Sequence, residues 1–192
     1  LIAGIAHDLN NPLASVIGFA DFLLEGRDVP PPLVEPVRVI QQEAERAANI
    51  VRNLLNFARK QDHARRPTEL EPLLNATLTL LRTQMVSRRV DLLLDLEPGL
   101  PTIDADAGQI QQVFVNLINN AAHAIESAGR AGRIVIRARP WRDGVAVEAS
   151  DDGPGMTPEV AAQVFEPFFT TKPEGQGTGL GLSICQGIVK EH

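Results

Sequence analysis

The first residue suited to chemistry is His7, which is followed directly by Asp8. A carboxylate beside an imidazole can hold Nδ1–H and leave the Nε2 lone pair free to attack an electrophile. Asn11 lies one helical turn later and shares a helix face with His7. Pro12 removes a backbone hydrogen bond, at a cost of about 3 kcal/mol in an ordinary helix. The group predicts a nucleophilic histidine in a distorted helix, the alternative being a surface histidine beside an incidental proline.

A second group of polar residues is the pair Asn116 and Asn120, four residues apart in an otherwise apolar helical segment. This spacing places both amides on one helix face. Asparagine is a mediocre helix former, so two on one helix strip indicate a role other than helix formation. An amide oxygen is a hard ligand that suits Mg²⁺. The pair is a candidate metal or nucleotide site, and the alternative is two solvated amides.

Two glycine-containing segments are candidate ligand loops. Asp151, Gly153 and Gly155 come directly after a predicted strand, where glycines permit a sharp turn and close approach to a ligand. The aspartate could accept a hydrogen bond from an exocyclic amine such as that of adenine. An ordinary acidic turn is the alternative.

The second segment has glycines at 175, 177, 179 and 181 and leads into an apolar helix. Backbone N–H groups and a helix N-terminus together favour phosphate binding. The segment has neither the Lys-Ser/Thr of a P-loop nor a strand before it, so it is not a Walker or Rossmann turn. A flexible linker is the alternative.

Between these two segments, Phe165–Pro173 holds three of the seven phenylalanines of the chain within five residues. Aromatic residues flanked by prolines and glycines are typical of a hinged lid. A small satellite core is the other interpretation, and the two are compatible. Lys172 is a candidate phosphate contact.

Two long helices are predicted to carry the histidine. Apolar residues repeat at steps of four and three from 1 to about 27 and again from about 33 to 61, which is typical of bundled helices. Prolines in 28–32 are predicted to break the chain between them. Such a hairpin has a small core, so we predict a homodimer that forms a four-helix bundle.

The remainder reads as a mixture of helices and strands after a polar linker at 62–68. Helices are predicted at 69–86, 107–127, 160–165 and 182–192, and strands at 90–96, 102–104, 133–138 and 145–149. Asp143-Gly144 is typical of a hairpin turn. The predicted fold class is α+β, with domains at 1–64 and 65–192.

Composition excludes several classes of protein. The chain has 192 residues, 44% hydrophobic and 22% charged, which is ordinary for a globular protein. Its 18 basic and 24 acidic residues give a net charge of −6, which disfavours nucleic acid as a partner. The single cysteine, Cys185, excludes an internal disulfide and a cysteine metal cage. No apolar run is long enough to span a membrane and Leu1–Ala6 is unlike a signal peptide, so we expect a cytoplasmic fragment without membrane contact.

Together, the motifs resemble those of the two-component sensor histidine kinases over nearly the whole chain. His7-Asp8 with Asn11-Pro12 resembles the H box, and Asn116 with Asn120 the N box. Three further segments resemble the G1, F and G2 boxes: Asp151 to Gly155, Phe165–Phe169 and Gly177 to Gly181. Helical spacing at both ends predicts that the sequence is part of a longer protein, and a missing N-terminal sensor is a candidate membrane anchor of that protein. Relative to the family, the closing strands of the ATP-binding domain are missing.

The resemblance implies a dimerisation and phosphotransfer hairpin followed by a Bergerat-type α/β sandwich that binds ATP and Mg²⁺. It implies that His7 is phosphorylated, with Asp8 orienting it and Asn11 positioning water for a reverse phosphatase reaction. Asp151, with Gly153 and Gly155, would read adenine, and Asn120 would bind Mg²⁺. Asn116 would replace the water-activating glutamate of gyrase-type ATPases. The phosphates would meet a final set of residues: Lys172, Gly177, Thr178, Gly179, Leu180 and Gly181.

The implied partner is the receiver domain of a response regulator, which would take the phosphoryl group on an aspartate. Two other functions stay open at this point. One is a gyrase-like or chaperone-like ATPase, which would turn over ATP without forming a phosphoprotein. The other is a dimerisation scaffold with a decayed nucleotide site, which would not bind ATP.

Overall fold

The computed structural model describes residues 2–26, 29–58, 65–173 and 177–192, with side chains described outside 2–10, 49–50 and 52–58. The chain divides into two compact units. The first comprises Leu1–Gln61 with Lys172–Thr178, and the second comprises Asp62–Thr171 with Gly179–His192. None of the described helices is long and apolar enough to cross a membrane.

The first unit is built on two long helices, α1 (Ile2–Glu25) and α2 (Pro31–Ala58). The predicted helices are confirmed, but the predicted break is shorter than expected, because Pro31 lies in the first turn of α2. A proline is tolerated there, since the first N–H groups of a helix have no acceptor within the helix. Helix α1 continues through Pro12, whose ring removes one backbone donor from it.

Small residues hold the two helices together. Ala20 of α1 and Ala44 and Ala48 of α2 are each at most 6% exposed. Their short side chains allow the helices to approach closely, and Gln41 donates a hydrogen bond to Asp21 across the pair. Other members of the predicted apolar seams remain exposed, including Val16, Leu23 and Ile40. The apolar seam of each helix is therefore only partly covered within the hairpin.

The second unit contains four helices and five strands in the described residues, and it confirms the predicted α+β class. In chain order they are β1 (Arg66–Thr68), α3 (Leu70–Ser87), β2 (Val90–Leu96), β3 (Ile103–Ala105), α4 (Ala107–Ser127), β4 (Gly132–Trp141), β5 (Gly144–Asp151), α5 (Pro158–Gln163) and α6 (Gly181–Glu191). Strands β2 and β4 pair in parallel, and β4 pairs with β5 in an antiparallel hairpin.

Strand β1 was not predicted, because its residues were assigned to a polar linker. It pairs antiparallel with β3, with Arg66 opposite Ala105 and Thr68 opposite Ile103. The Thr68 hydroxyl also donates to the Ala105 carbonyl at 3.0 Å. An arginine, a proline and a threonine carry no apolar alternation, so only the distant partner strand makes this segment extended.

Helices α3 and α4 cover one face of the three-stranded sheet. The sheet side of this core contains Ile134 and Ile136, and the helix side contains Leu74, Ile118 and Ile125, each at most 1% exposed. A second apolar cluster lies between α4 and α6: Val113, Leu180, Ile184, Cys185 and Ile188. Helix α4 is thus packed on two sides.

Candidate functional site

The two asparagines predicted as a site lie on α4 beside the start of α6. The Asn116 amide Nδ2 donates to the Gly181 carbonyl at 3.4 Å. A Cβ atom placed on Gly181 would lie 3.8 Å from Asn120 Nδ2 and 3.9 Å from Asn116 Cγ. The structure therefore brings both amides to the residue where the last glycine-rich segment becomes a helix. Helix N–H groups and hard amide oxygens are combined there, which suits a phosphate and its counterion.

The residue two positions earlier, Gly179, is required by its surroundings. Its φ of +67° is in the left-handed region, and a Cβ atom there would lie 2.3 Å from the Phe168 carbonyl carbon. The Phe168 N–H donates to the Gly179 carbonyl at 3.0 Å, and Phe168 itself has a φ of +70°. Only glycine permits so close an approach of the two backbones. The path of the chain into α6 is fixed by this contact.

Asp151 lies at the end of β5, and its side chain is exposed. Its Oδ1 accepts a hydrogen bond from the Gly153 N–H at 2.9 Å, which tightens the turn. A Cβ atom on Gly153 would lie 3.3 Å from the Ala124 Cβ. Because Ala124 is one helical turn beyond Asn120, the turn at Asp151 and the start of α6 both lie along α4.

The next aspartate, Asp152, binds protein groups at the start of β4. Its Oδ1 accepts from the Arg133 N–H at 2.8 Å, and its Oδ2 lies 3.6 Å from Arg130 Nη1. The hydrogen bond from the Arg133 backbone, and then the charge of Arg130, hold the pKa of Asp152 below its ordinary range. The carboxylate is therefore charged at neutral pH and tied to the sheet.

Two families match this chain in sequence. Residues 1–63 match the family described as "His Kinase A (phospho-acceptor) domain". Residues 105–192 match "Histidine kinase-, DNA gyrase B-, and HSP90-like ATPase". The second description covers gyrase B and HSP90 as well as histidine kinases, but the first names histidine kinases alone. The two matches together therefore distinguish a histidine kinase from the other ATPases. The chain belongs to the sensor histidine kinases.

Named relatives agree with this assignment. The sensor kinase CckA of Brucella abortus (strain 2308) is 38% identical over 203 residues, covering 100% of this chain and 21% of the relative. The sensor histidine kinase ZraS of Klebsiella oxytoca is 36% identical over 193 residues, covering 100% of this chain and 41% of the relative. The chain therefore spans less than half of these relatives.

Solved structures show the same architecture. Full-length ShkA in complex with AMPPNP matches with a TM-score of 0.80 and 27% identity, covering 98% of this chain and 40% of that one. The histidine kinase ThkA in complex with the response regulator protein TrrA matches with a TM-score of 0.67 and 28% identity, covering 98% and 53%. This kinase core thus has the predicted hairpin followed by the ATPase domain.

In the kinase hairpin, the predicted acceptor group is placed on α1. The side chains of His7 and Asp8 lie outside the described residues, although both positions are within the helix. Asn11 is exposed, and its carbonyl accepts a hydrogen bond from the Ser15 hydroxyl at 3.1 Å. Helical spacing puts positions 7, 11 and 15 on one strip of α1.

The remaining predicted phosphate contacts of this kinase fall into two groups. Lys172, Gly177 and Thr178 are half-buried and belong to the segment grouped with the first unit, whereas Gly179, Leu180 and Gly181 belong to the second. Leu180 is only 2% exposed, so its side chain serves packing and its backbone is the part available to a ligand. Gly175, the first glycine of the predicted run, lies outside the described residues.

The turn after Asp151 and the phenylalanine segment are also described by the structure. Gly155 has a φ of +73° with open space around it, which a glycine adopts readily. Phe165 and Phe168 are 46% and 66% exposed, so these two side chains do not form a satellite core. Their exposure favours the lid interpretation of the segment.

Sequence reasoning missed two residues next to the site, Asp152 and Cys185. The Cys185 thiol is buried between α6 and α4, where it donates to the Val113 carbonyl at 3.8 Å. Burial raises its pKa, while a hydrogen bond with the Asn116 side chain acts in the opposite direction. Spacing is the signal in the sequence that could identify Cys185. It follows Gly181 by one helical turn, so both residues face α4.

Proposed function

We propose that this chain transfers the γ-phosphoryl group of ATP to His7 and then to an aspartate of a response regulator. The observation that carries the proposal is the presence of a phospho-acceptor domain and an ATPase domain in one chain. We propose the division between them at residues 64 and 65. The distances at α4 and α6 support a phosphate-binding site in the second domain.

Within the nucleotide site, we assign adenine recognition to Asp151, whose exposed carboxylate can accept a hydrogen bond from the 6-amino group. Gly153 and Gly155 allow the chain to turn beneath the base. The phosphates bind the backbone of Gly177–Gly181, with Thr178 and Lys172 as side-chain contacts. The solved relative ShkA was crystallised with AMPPNP, which supports a nucleotide in a fold of this kind.

The residues present fit a magnesium ion that is held mainly by the nucleotide. Among the described residues, no group of three or more His, Cys, Asp or Glu side chains is placed to hold a metal. Mg²⁺ in phosphoryl-transfer sites needs only one or two protein ligands besides phosphates and water. The Asn120 amide is beside the start of α6 and is our proposed ligand. The ion would supply charge neutralisation at the phosphates.

The side chain of Asn116 decides the fate of the phosphoryl group. An amide is a poor base, so it does not activate water as the glutamate of gyrase-type ATPases does. The acceptor is instead the neutral imidazole of His7, whose ordinary pKa is about 6.5. Its Nε2 bonds to Pγ while the bond from Pγ to the bridging oxygen breaks, and the electron pair leaves with ADP. Asp8 orients the ring and takes the Nδ1 proton.

We further propose that the active form is a homodimer joined through the hairpin. Val16 and Leu23 form an exposed apolar strip on α1 beside the buried Ala20, and Leu33 and Ile40 form one on α2. Pairing with the same strips of a second copy would bury them in a four-helix bundle. In a symmetric dimer, the same surface of each copy forms the interface, so one interface covers the exposed strips of both copies.

The response regulator is the proposed acceptor of the phosphoryl group. The solved ThkA complex with a response regulator supports such a partner for a fold of this kind. Phe22, which is 74% exposed, continues the strip of α1 that contains positions 7, 11 and 15. An apolar side chain on the same strip as the acceptor gives a protein partner a place to dock. Asn11 would position water when the reaction removes phosphate from the regulator.

The test is incubation of the chain with γ-labelled ATP and Mg²⁺, beside His7→Gln. We expect label in the wild type that is acid-labile and alkali-stable, and none in the variant. The matched metal variant is Asn120→Asp, which should lose labelling while the hairpin remains folded. Rapid ATP hydrolysis without labelled protein would instead support the gyrase-like ATPase. Absence of nucleotide binding would support a scaffold.

A further inference from the structure

Asp152 joins the nucleotide site to the start of β4 through three groups. Its Oδ1 accepts from the Arg133 N–H at 2.8 Å, and its own N–H donates to the Arg133 carbonyl at 3.2 Å. Arg130 donates to the Asp152 carbonyl and pairs with its carboxylate. The residue after Asp151 is therefore fixed on both its backbone and its side chain.

The residue before Arg133 leaves room for this arrangement only because it is glycine. A Cβ atom on Gly132 would lie 2.5 Å from Asp152 Oδ1 and 2.6 Å from Ile125 Cγ2. The carboxylate thus lies directly against the backbone of β4, next to the helix that carries Asn120. This observation is independent of the hydrogen bonds and indicates the same close packing.

The neighbouring carboxylate of Asp151 has few restraints of its own. It is exposed, and it accepts a hydrogen bond from the Gly153 N–H of its own turn at 2.9 Å. A hydrogen bond within the turn moves with the turn, so it cannot fix where the carboxylate lies relative to α4. On its N-terminal side the turn is attached to the rest of the second unit by the pairing of Asp151 with Ile134 in the β4–β5 ladder. On its C-terminal side the attachment comes from Asp152 and from the packing of Gly153 against Ala124.

We propose that Asp152 is a positioning residue for recognition of the nucleotide base. By tying the turn to β4, it holds the Asp151 carboxylate at the place where the 6-amino group of adenine binds. This inference rests on the proposed role of Asp151. Asp152 itself does not touch the nucleotide, and its effect is on base selectivity rather than on phosphate binding.

The experiment compares ATP with inosine triphosphate, which has an oxygen in place of the 6-amino group but the same ribose and triphosphate. Dissociation constants are measured by displacement of a fluorescent ATP analogue from the chain in the presence of Mg²⁺. The variants are Asp151→Ala, Asp152→Ala, Asp152→Asn and Arg130→Gln. Wild type should bind ATP more tightly, by about tenfold, as expected for one hydrogen bond to a charged group.

We expect Asp152→Ala to lose most of this preference through weaker ATP binding, with inosine triphosphate affinity changed less than about twofold, because its base has no 6-amino group to donate to Asp151. Asp152→Asn keeps an acceptor for the Arg133 N–H and should restore most of the preference. Arg130→Gln should show a smaller loss, since its pair with Asp152 is exposed. It also provides a test if Asp152→Ala does not fold.

Two results would overturn the inference. An unchanged preference in Asp152→Ala would show that Asp151 holds its place alone. Equal weakening of both nucleotides would show a general structural role. If wild type has no preference, or Asp151→Ala keeps it, then the proposed base reading by Asp151 fails as well. The Asp151→Ala arm therefore separates failure of the proposed function from failure of the positioning role.

Discussion

The hairpin and the ATPase domain differ in how completely they bury their apolar residues. In the second unit, Leu74 and Ile118 are fully buried between helices and sheet. In the hairpin, Val16 and Leu23 are 40% and 44% exposed, and the buried contacts are made by alanines. A two-helix unit has no third layer, so one face of each helix stays uncovered. The difference agrees with the proposed homodimer, in which the ATPase domain buries its core within one copy and the hairpin buries its remaining apolar residues against a second copy.

The strongest test of this contrast removes a buried side chain from the ATPase domain. Ile118→Ala leaves a cavity in the core between α4 and the sheet, and we expect it to lower the free energy of unfolding by about 2–5 kcal/mol. Urea denaturation followed by circular dichroism measures the change. The matched control is Leu80→Ala on α3, where the side chain is 68% exposed. Its effect should stay within about 0.5 kcal/mol.

The corresponding test on the hairpin places a charge on the exposed apolar strip. Ile40→Asp should weaken the homodimer by about 100-fold, because the burial cost is incurred once in each copy. Sedimentation equilibrium measures the dissociation constant. Val39→Asp is the matched control, since Val39 is 49% and Ile40 52% exposed on adjacent positions of α2. Equal weakening by both variants would show that the dimer does not use the predicted strip.

A third test concerns the tight backbone contact at the nucleotide site. Gly179→Ala would place a Cβ atom against the Phe168 backbone, so it should displace the start of α6 and weaken ATP binding by about tenfold or more. Gly99→Ala is the control, because Gly99 has a φ of +81° but nothing within 4 Å of its Cβ position. It should cost only about 1–2 kcal/mol of stability.

Isothermal titration calorimetry with ATP measures the nucleotide affinity of both glycine variants. Unchanged ATP affinity in Gly179→Ala would show that the backbone of α6 does not need this contact to bind phosphates. A loss of affinity in Gly99→Ala would point to general destabilisation in both variants.

The elements that the sequence predicted well are those specified locally. Helix α4 begins and ends as predicted because its apolar period is strong and Asp106 caps it, accepting from the Gln109 N–H at 3.1 Å. Strand β1 was missed because Arg66–Thr68 is extended only by pairing with β3. The start of α2 was placed late because three consecutive prolines were interpreted as a break, although Pro31 and Pro32 fit its first turn.

The same distinction applies to the candidate site. Spacing and residue type predict Asn116, Asn120 and Asp151 as site residues, and the structure places the two asparagines on α4 and the turn that follows Asp151 beside that helix. The sequence predicts no role for Asp152, because its partners Arg130 and Arg133 come from a loop and a strand about 20 residues earlier. Cys185 was counted only as a lone thiol. Positioning residues act through tertiary contacts, which no local pattern records.

The smallest expected effect tests how closed the ATPase domain is around Cys185. Burial raises the pKa of this thiol above its ordinary value of 9.0. The folded chain therefore holds the thiol proton more tightly than the unfolded chain. Its contribution to stability is complete below pH 9 and is lost as the pH rises from there through the folded-state pKa.

Chemical denaturation between pH 8 and 10.5 should show this loss in the wild type and a shallower decline in Cys185→Val, which keeps the apolar packing with no titrating group. The alkaline range is favourable because the chain has no tyrosine and no other cysteine. An equal decline in both proteins would mean that the thiol is hydrated in the folded state. The second cluster between α4 and α6 would then be open to water. In that case this part of the ATPase domain would bury its apolar residues incompletely, as the hairpin does.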